Sequence, residues 1–523
     1  MGVLAGACAR ATGESLDNGL DSSAPPQDAS VTDSRSANDA GAQADVSEAG
    51  CQKASDTDIP DLTFADKNCD GINGDVTKAI FVSPLGDDTN PGTMQKPMKT
   101  MQAAISTAGP AKKDVYADKG TYGGTVLLAS GVSLYGGYDS TTKWSRALTN
   151  VSVLQSDTTT GVIGSNINSP TEVQLFTIKS QSAGSNSGES SYGVRLSNSS
   201  AQITIRACTI APGDGGSAPP NGMVAKNGDN AFDGTVGGTG SAGKGGASTC
   251  AAGGGGGGPA VVGGVSGVKG VDGTTINGGG GGGPGGPGGV KVGACHSIGS
   301  HGDDGSPGTK GGDGAAGIDG PIAASIGTVD TNGLYVTPSG GTGGDGHPGG
   351  GGGGGGSGGG DVSSCGFANL SCCNSTSGGG GGGGGGGCGA QGGRGGAGGG
   401  GSFGIASVGV VVTVDHCTIN TGKGESGSAG GAGGTGGAPG NGVGGGVGNN
   451  SAGNGNIGAN GGSGGNGGGG AGGNGGPSVC VYSSAAPTYT NNTCTRAGAG
   501  KGGLGAGTAP KGPDGVDGEK AGF

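Results

Sequence analysis

Gly455 to Gly476 reads GNIGANGGSGGNGGGGAGGNGG. Glycine stands at 455, 458, 461, 464, 467, 470, 473 and 476, with Asn, Ser, Ala, a single Ile or a second Gly between. The same period of three runs through 234–246, 302–320, 340–352, 386–401 and 424–436. A fixed period sets the architecture of a chain before any other feature. Three residues per turn is the period of polyproline II, a left-handed helix without internal hydrogen bonds, in which every third side chain lies on one face. Glycine leaves that face bare. Neighbouring backbones can then approach and satisfy the N–H and C=O groups that cannot pair within one helix.

Collagen shares the period but needs abundant proline. With 23 Pro in 523 residues and blocks of 13 to 22 residues, a triple helix is not expected. Two readings remain: flexible glycine linkers, favoured by the entropy glycine loses on ordering, and a bundle of antiparallel or mixed polyglycine II helices. The strict register favours the bundle. So do the cysteines within the region (Cys250, Cys295, Cys365, Cys372, Cys373, Cys388), because cross-links offset part of the entropy. On these blocks the region resembles the glycine-rich polyproline II bundles of some antifreeze proteins and phage tail-fibre adhesins. An ordered bundle predicts that Gly464→Val disrupts far more than Asn466→Val, whose side chain is expected to point outward.

With 145 Gly and 3% aromatic residues, the whole chain cannot form an ordinary core, whereas Lys78 to Asn227 has a composition that can. Residues 11–75 hold 14 Asp and Glu against 3 Lys and Arg, nearly all of the net charge of -12. The rest is close to neutral and carries no basic stripe, so nucleic acid is not a partner to expect. Thirteen cysteines point to an oxidising compartment. Leu4 to Ala7 before Cys8 resembles the small-residue box of a lipidated bacterial cysteine, which implies a lipid anchor on Cys8, attachment to a membrane, and a place in the bacterial envelope, outer-membrane-anchored or extracellular. The segment before it is too short for a secretory signal, which predicts a start further upstream. With Cys8 lipidated, the twelve remaining cysteines would allow six bridges.

The expected organisation follows in order: 1–8 a truncated signal remnant, 9–50 a disordered acidic tether, 51–77 a Cys/Asp loop, 78–212 a β-domain, and 213–523 glycine-rich sequence with further β-rungs near 402–420 and 478–496. In the loop, Asp66, Asn68 and Asp70 followed by Gly71 match the first half of a calcium loop. Its twelfth position holds Thr77 rather than Glu, with Asp75 a substitute ligand; the alternative is a metal-free Asp/Asn/Gly turn. The segment resembles a short Cys-containing motif between tether and β-domain of bacterial surface lipoproteins. Cys51 with Cys69 would close it. Structural calcium is the one cofactor expected.

From Lys78 the texture predicts a strand at 79–83, a helix at 100–107, and strands at 114–117, 125–128, 132–135, 151–155 and 173–179. GDDTNPGT, KPMKTMQAAI, VYADKGTYGG and VSLYGGY resemble the entrance of the pectin-lyase-like right-handed parallel β-helix. That resemblance implies a helix-capped, all-β solenoid. SYGVRLSNSSAQITIRACTI (191–210) is echoed by SFGIASVGVVVTVDHCTI (402–419), matching Cys208 to Cys417 and Ile210 to Ile419. A weaker echo at 478–496 places Cys494 at the matched cysteine and Arg496 at the isoleucine. The expected fold is therefore a right-handed parallel β-helix whose connecting turns have swollen into polyglycine II bundles, with stacked cysteines.

Catalytic members of that fold cleave acidic polysaccharides with Asp clusters, calcium and a basic residue. Gly302-Asp303-Asp304 resembles one acidic motif but lacks its partner motifs, and His301 beside Asp303 and Asp304 could bind a metal. Gly311-Gly312-Asp313-Gly314 begins like a calcium β-roll repeat and then departs from it. No catalytic residue is assigned. The expected function is a non-enzymatic surface lipoprotein, structural or adhesive, with extracellular polysaccharide or a surface protein as partner. The alternatives are a β-helix polysaccharide lyase or hydrolase, marked by Asp/Glu and Arg/Lys converging on 115–210, and an ice- or crystal-binding bundle, marked by a flat Thr/Ala/Gly face.

Overall fold

The computed structural model describes residues 51–220, 225–263, 265–274, 302–324, 327–361, 375–449 and 452–522. Cys8 and the acidic 9–50 segment lie outside these residues, as do Cys295, Cys365, Cys372, Cys373, His296 and His301.

Strands alternate inward Val, Ile and Leu with outward polar residues, and they assemble into three parallel sheets. Sheet one contains Ala79–Val82, Asp114–Asp118, Leu134–Asp139, Thr171–Gln174, Ile203–Arg206, Val412–Asp415 and Thr488–Thr490, with Ser145–Arg146 added antiparallel. Sheet two contains Gly120–Gly123, Ser152–Gln155, Phe176–Lys179, Thr209–Ala211, Thr418–Thr421 and Thr493–Arg496. Sheet three contains Val126–Leu127, Thr160–Ser165, Ser191–Ser197, Ser402–Val408, Ser478–Ser483 and Asp517–Ala521. From Asp114 onward the chain visits sheets one, two and three in fixed rotation.

Parallel in-register stacking turns a repeated position into a ladder. One runs Leu154, Ile178, Ile210, Ile419, Cys494 on sheet two. Another runs Val162, Val194, Ile405, Val481 on sheet three, and a third Leu134, Val173, Ile205, Val414 on sheet one. These residues, except Cys494, which packs at the margin, are buried in one apolar cluster shared by all three sheets. The repeat expected between 191–210 and 402–419 is therefore in register, with Ser191 opposite Ser402 and Ile210 opposite Ile419.

The third copy is shifted by two residues. Cys494 pairs with Ile419, not with Cys417, and Arg496 pairs with Thr421. Asn492 takes the cysteine position, its side-chain oxygen accepting the N–H of Cys417 at 2.7 Å. In the isoleucine column Cys494 bonds to Cys480 instead, closing the last rung. Segment 173–179 is likewise two strands rather than one. Leu175 bends the chain between them with φ of 61°, and Ala207, His416 and Asn491 repeat this left-handed corner at 50°, 53° and 54°.

The helix Met101–Ala111 extends further than expected. Thr100 caps it by accepting the N–H of Ala103, and Met101, Ala104, Ile105 and Ala108, spaced as one helical face, join the shared core.

The three long glycine-rich excursions leave at one corner, after a sheet-two strand and before a sheet-three strand: 212–401, 422–477 and 497–516. Among their described residues, runs of every third N–H find a neighbouring segment. From 340 to 350 two residues of each turn donate, in two directions, and from 351 to 360 all three donate, in three directions, at 2.7 to 3.1 Å. Gly340, Gly343 and onward to Gly358 reach carbonyls from Gly396 back to Gly378; Gly341 to Gly359 reach those from Pro321 back to Asp303; Gly351, Gly354, Ser357 and Gly360 reach Thr274 back to Val265. Segment 378–399 does the same toward 453–474, 226–238 and 252–258. Cys250–Cys388 cross-links two of these segments, with Cα atoms 5.6 Å apart.

Candidate functional site

Of the four loop residues expected to bind calcium, the fold gathers three. Asp66 accepts the N–H of Asp70 at 3.2 Å and of Gly71 at 2.9 Å. Asn68 accepts from the N–H of Asp70 and donates its amide to the Asp70 carboxylate at 2.9 Å. Asp70 also accepts from Val76 at 2.8 Å. Asp75 faces elsewhere: it accepts from the N–H and hydroxyl of Thr77 at 2.8 and 2.6 Å and caps the turn Val76–Lys78. Two carboxylates and one amide oxygen fall short of the six to eight oxygens that calcium takes. Among the described residues no group of three or more His, Cys, Asp or Glu is placed to hold a metal ion. Cys51 and Cys69 are each disulfide-bonded.

What fixes this loop is an arginine that has no sequence signal. Arg146, 6% exposed, donates to Gly136 O at 2.8 Å, Asp61 O at 3.1 Å, Asn73 Oδ1 at 3.0 Å and Gln174 Oε1 at 2.6 Å. Its guanidinium also lies 5.3 to 5.8 Å from the ring centres of Phe64, Tyr135 and Tyr138. Tyr138 donates its hydroxyl to Asn73 O at 2.7 Å, and the aromatic group Phe81, Tyr116, Tyr135, Tyr138 and Trp144 packs with Ile72.

On the outer face of sheet one, acidic and basic side chains do converge. Arg206 reaches Glu172 at 3.1 Å on one side and Asp415 at 3.4 Å on the other. Glu172 also accepts from Gln174 at 2.9 Å, while Asp415 accepts from Thr490 at 2.7 Å and lies 2.9 Å from His416 Nδ1. Burial pushes the Asp415 carboxyl up, but the hydrogen bonds from Thr490, His416 and Asn491 outweigh it and hold it below the ordinary range. Charge alternates along the stack, as in-register pairing requires if like charges are not to face each other.

The acidic motifs of the glycine blocks serve the backbone. Asp304, Asp313 and Asp319 accept the N–H of Asn454, Ser463 and Gly469 at 2.6 to 2.8 Å. Asn227, Asn230 and Asp233 do the same for Thr435, Ala438 and Asn441, and Asn454, Asn460 and Asn466 for Gly448, Gly442 and Gly436. Asn466 is therefore not an idle outward residue. Lys and Asp one turn apart pair along the outer segments at 226 and 229, 269 and 272, 310 and 313, and 511 and 514. The Lys-x-x-Asp spacing, unread in the sequence, is the signal that would have marked a solvated outer face.

Cys208 and Cys417 stand at the corners between the strands of sheets one and two on neighbouring rungs, as free, buried thiols, two of the twelve cysteines for which six bridges were possible. The N–H of Cys208 lies 3.4 Å from Cys417 Sγ, and burial pushes the Cys208 thiol well above its usual range, so it is poorly nucleophilic. No protein-family model, curated protein or solved structure matches the chain. Among the described residues no helix is long and apolar enough to cross a membrane.

Proposed function

We propose that the chain is a non-enzymatic cell-surface lipoprotein with a structural or adhesive role, anchored through Cys8 in the bacterial envelope. Its body is read as a right-handed parallel β-helix, with polyglycine II bundles grown from one corner. The observation that carries this reading is the hydrogen bonding of 340–360 and 378–399 to neighbouring segments, three-way over 351–360 and 378–388: the excursions form a built scaffold joined to the sheets, which suits display at a surface. The protein, produced in a diderm bacterium behind a lipoprotein signal peptide ending at Cys8, should incorporate a palmitate analogue and fractionate with the envelope, and cells bearing it should gain adherence. Labelling that survives Cys8→Ser, or adherence equal to that of cells lacking the protein, would overturn the proposal.

Among the described residues, the convergence of Glu172, Arg206 and Asp415 favours a polysaccharide lyase or hydrolase. Every one of these groups has a side-chain partner on the same face, which fits a structural lock better than a reacting site. Release of reducing ends or unsaturated products from polygalacturonate, lost in Asp415→Asn, would transfer the function to the enzyme reading. The ice-binding reading lacks its flat Thr/Ala/Gly face in the outer segments that carry Lys–Asp pairs and exposed Val265, Val268 and Val271.

Calcium enters as a loop ion only, with Asp66, Asn68 and Asp70 as side-chain ligands and carbonyls or water completing the set. The melting temperature should rise by about 1 °C in millimolar calcium relative to chelator, the shift that about 1 kcal/mol gives in a chain of this size. An identical melting curve under both conditions would remove the ion from the proposal.

A further inference from the structure

An open cleft of ≈ 530 Å³ lies where the outer face of sheet three meets the first glycine excursion. One wall is the chain entering Ser191–Ser197; the other is the small antiparallel hairpin Thr328–Val329 and Tyr335–Val336; Ala397 and Gly398 close the base. The hairpin is pinned in place. Tyr335 donates its N–H to the Tyr192 hydroxyl at 2.8 Å, its own hydroxyl accepts from Gly327 at 2.9 Å, and Thr337 donates to Gly399 O at 2.8 Å. Beneath it Tyr192, Phe403 and Tyr482 form an aromatic row against which Tyr335 packs. The walls are thus set before any ligand arrives, which lowers the ordering cost of binding.

Chemistry narrows the ligand. The lining includes the carboxylates of Glu189 and Asp330 and no Lys, Arg or His. Asp330 uses one oxygen to hold the hairpin turn, accepting from Asn332 and Leu334 at 2.9 and 2.8 Å. Glu189 is exposed, and its carboxylate has no partner among the described residues. Beside these acceptors Leu334 and Val336 are 41% and 56% exposed, an unusual outlay of apolar surface on a two-residue strand and its turn. Carboxylate acceptors beside aliphatic surface suit a ligand with many hydroxyl donors and apolar C–H faces. An acidic chain would meet the Glu189 carboxylate, which no cation of the lining offsets, and a second carboxylate on Asp330. The volume falls within the usual range of about 300 to 1,000 Å³ for small-molecule sites.

We propose that this cleft binds a short uncharged oligosaccharide, with Glu189 accepting its hydroxyls and Leu334 and Val336 packing on its ring faces. The site names the ligand class of the adhesive function and rests on that reading. The test titrates full-length protein with neutral trisaccharides of glucose, mannose and galactose, with trigalacturonate and with trilysine, using saturation-transfer NMR and calorimetry. At least one neutral trisaccharide should bind, with trigalacturonate about ten-fold weaker or undetected. Glu189→Ala and Leu334→Ala should each weaken binding several-fold to about ten-fold, the loss expected for one charge-assisted hydrogen bond or one apolar contact, with the melting curve unchanged. The proposal is overturned if no neutral trisaccharide binds, if both substitutions leave binding intact, or if trigalacturonate or trilysine binds more tightly. Cell adherence that persists when the Glu189→Ala, Leu334→Ala double variant no longer binds the trisaccharide would remove the cleft and leave the adhesive function standing.

Discussion

A methyl group placed on Gly464 would lie 1.9 Å from Cys388 O, and one on Gly465 the same distance from Ala315 O. No rotamer relieves that clash, because the obstruction is backbone and begins at Cβ. Gly464→Val should therefore separate two segments and break their ladder, at a cost of several kcal/mol by analogy with severe overpacking. Asn466 does a different job: its Oδ1 accepts the N–H of Gly436 at 2.9 Å from an exposed position. Asn466→Val should cost about 1 kcal/mol, the worth of one hydrogen bond partly replaced by water. Urea unfolding of the two variants checks the order, and equal losses would contradict the packing. The same logic explains the residues between the glycines. Where two segments run parallel, as 227–233 and 435–441 do, Asn and Asp take the N–H groups that no carbonyl reaches. They also close the outer rows to further chains, much as charged residues blunt a sheet edge.

At the scale of the strand, the difficulty is returning to register after a long excursion. Arg206 and Asp415 belong to neighbouring strands of sheet one yet are separated by the whole first glycine region. A slip of one residue would turn Val412 and Val414 out of the core, so burial fixes the face. A slip of two would keep the face. Against that slip stand Arg206 between Glu172 and Asp415, and Gln202 donating to Thr413 at 2.6 Å. Arg206→Leu leaves two carboxylates without their shared cation and should cost about 1 kcal/mol at neutral pH, the arginine being partly exposed. The pH dependence follows from Asp415. Its carboxyl is held below the ordinary range, so its contribution is complete above about pH 4, the unfolded value, and is lost as pH falls through the folded value. Loss of the cation should raise that folded value, moving the decline of stability to higher pH in the variant. Parallel pH–stability curves for variant and native protein would show that the ladder carries no register energy.

For the whole molecule, the glycine bundle sets a small gain per residue against a comparable loss. A hydrogen bond contributes about 1 kcal/mol net, and fixing one backbone residue costs about 1–2 kcal/mol. Order then depends on tying the segments down. Their ends are held by in-register strands of sheets two and three, and Cys250–Cys388 closes a loop of 138 residues, for which the chain-entropy model gives about 5 kcal/mol. Hydrogen exchange should show the amides of the inner segments 341–359, 378–396 and 453–471 protected to a similar degree as the strands. Reduction of the disulfide should lower protection in the bundle before it does in 114–210. Unprotected amides throughout the bundle would return it to a flexible linker.

How much of this was legible depends on whether the signal is local. Period-three glycine, period-two strands, the helix-forming run near Met101 and the echo of 191–210 in 402–419 are local patterns, and each is matched by hydrogen bonding or register in the fold. Asp66, Asn68 and Asp70 were legible as a turn for the same reason, since their partners lie within a few residues. Asp75, a substitute ligand by spacing, caps Thr77 in the fold, a choice that geometry and not spacing makes. Cys494 was matched by residue type. The core instead chose by column, placing it under Ile419 where it meets Cys480. Arg146, the cleft at Glu189 and the neighbours of each glycine segment leave no trace in the sequence. A three-residue turn sends N–H groups in three equivalent directions, so the sequence determined that each must find a partner, and only the tertiary placement of the corner from which every excursion leaves decided which partner that is.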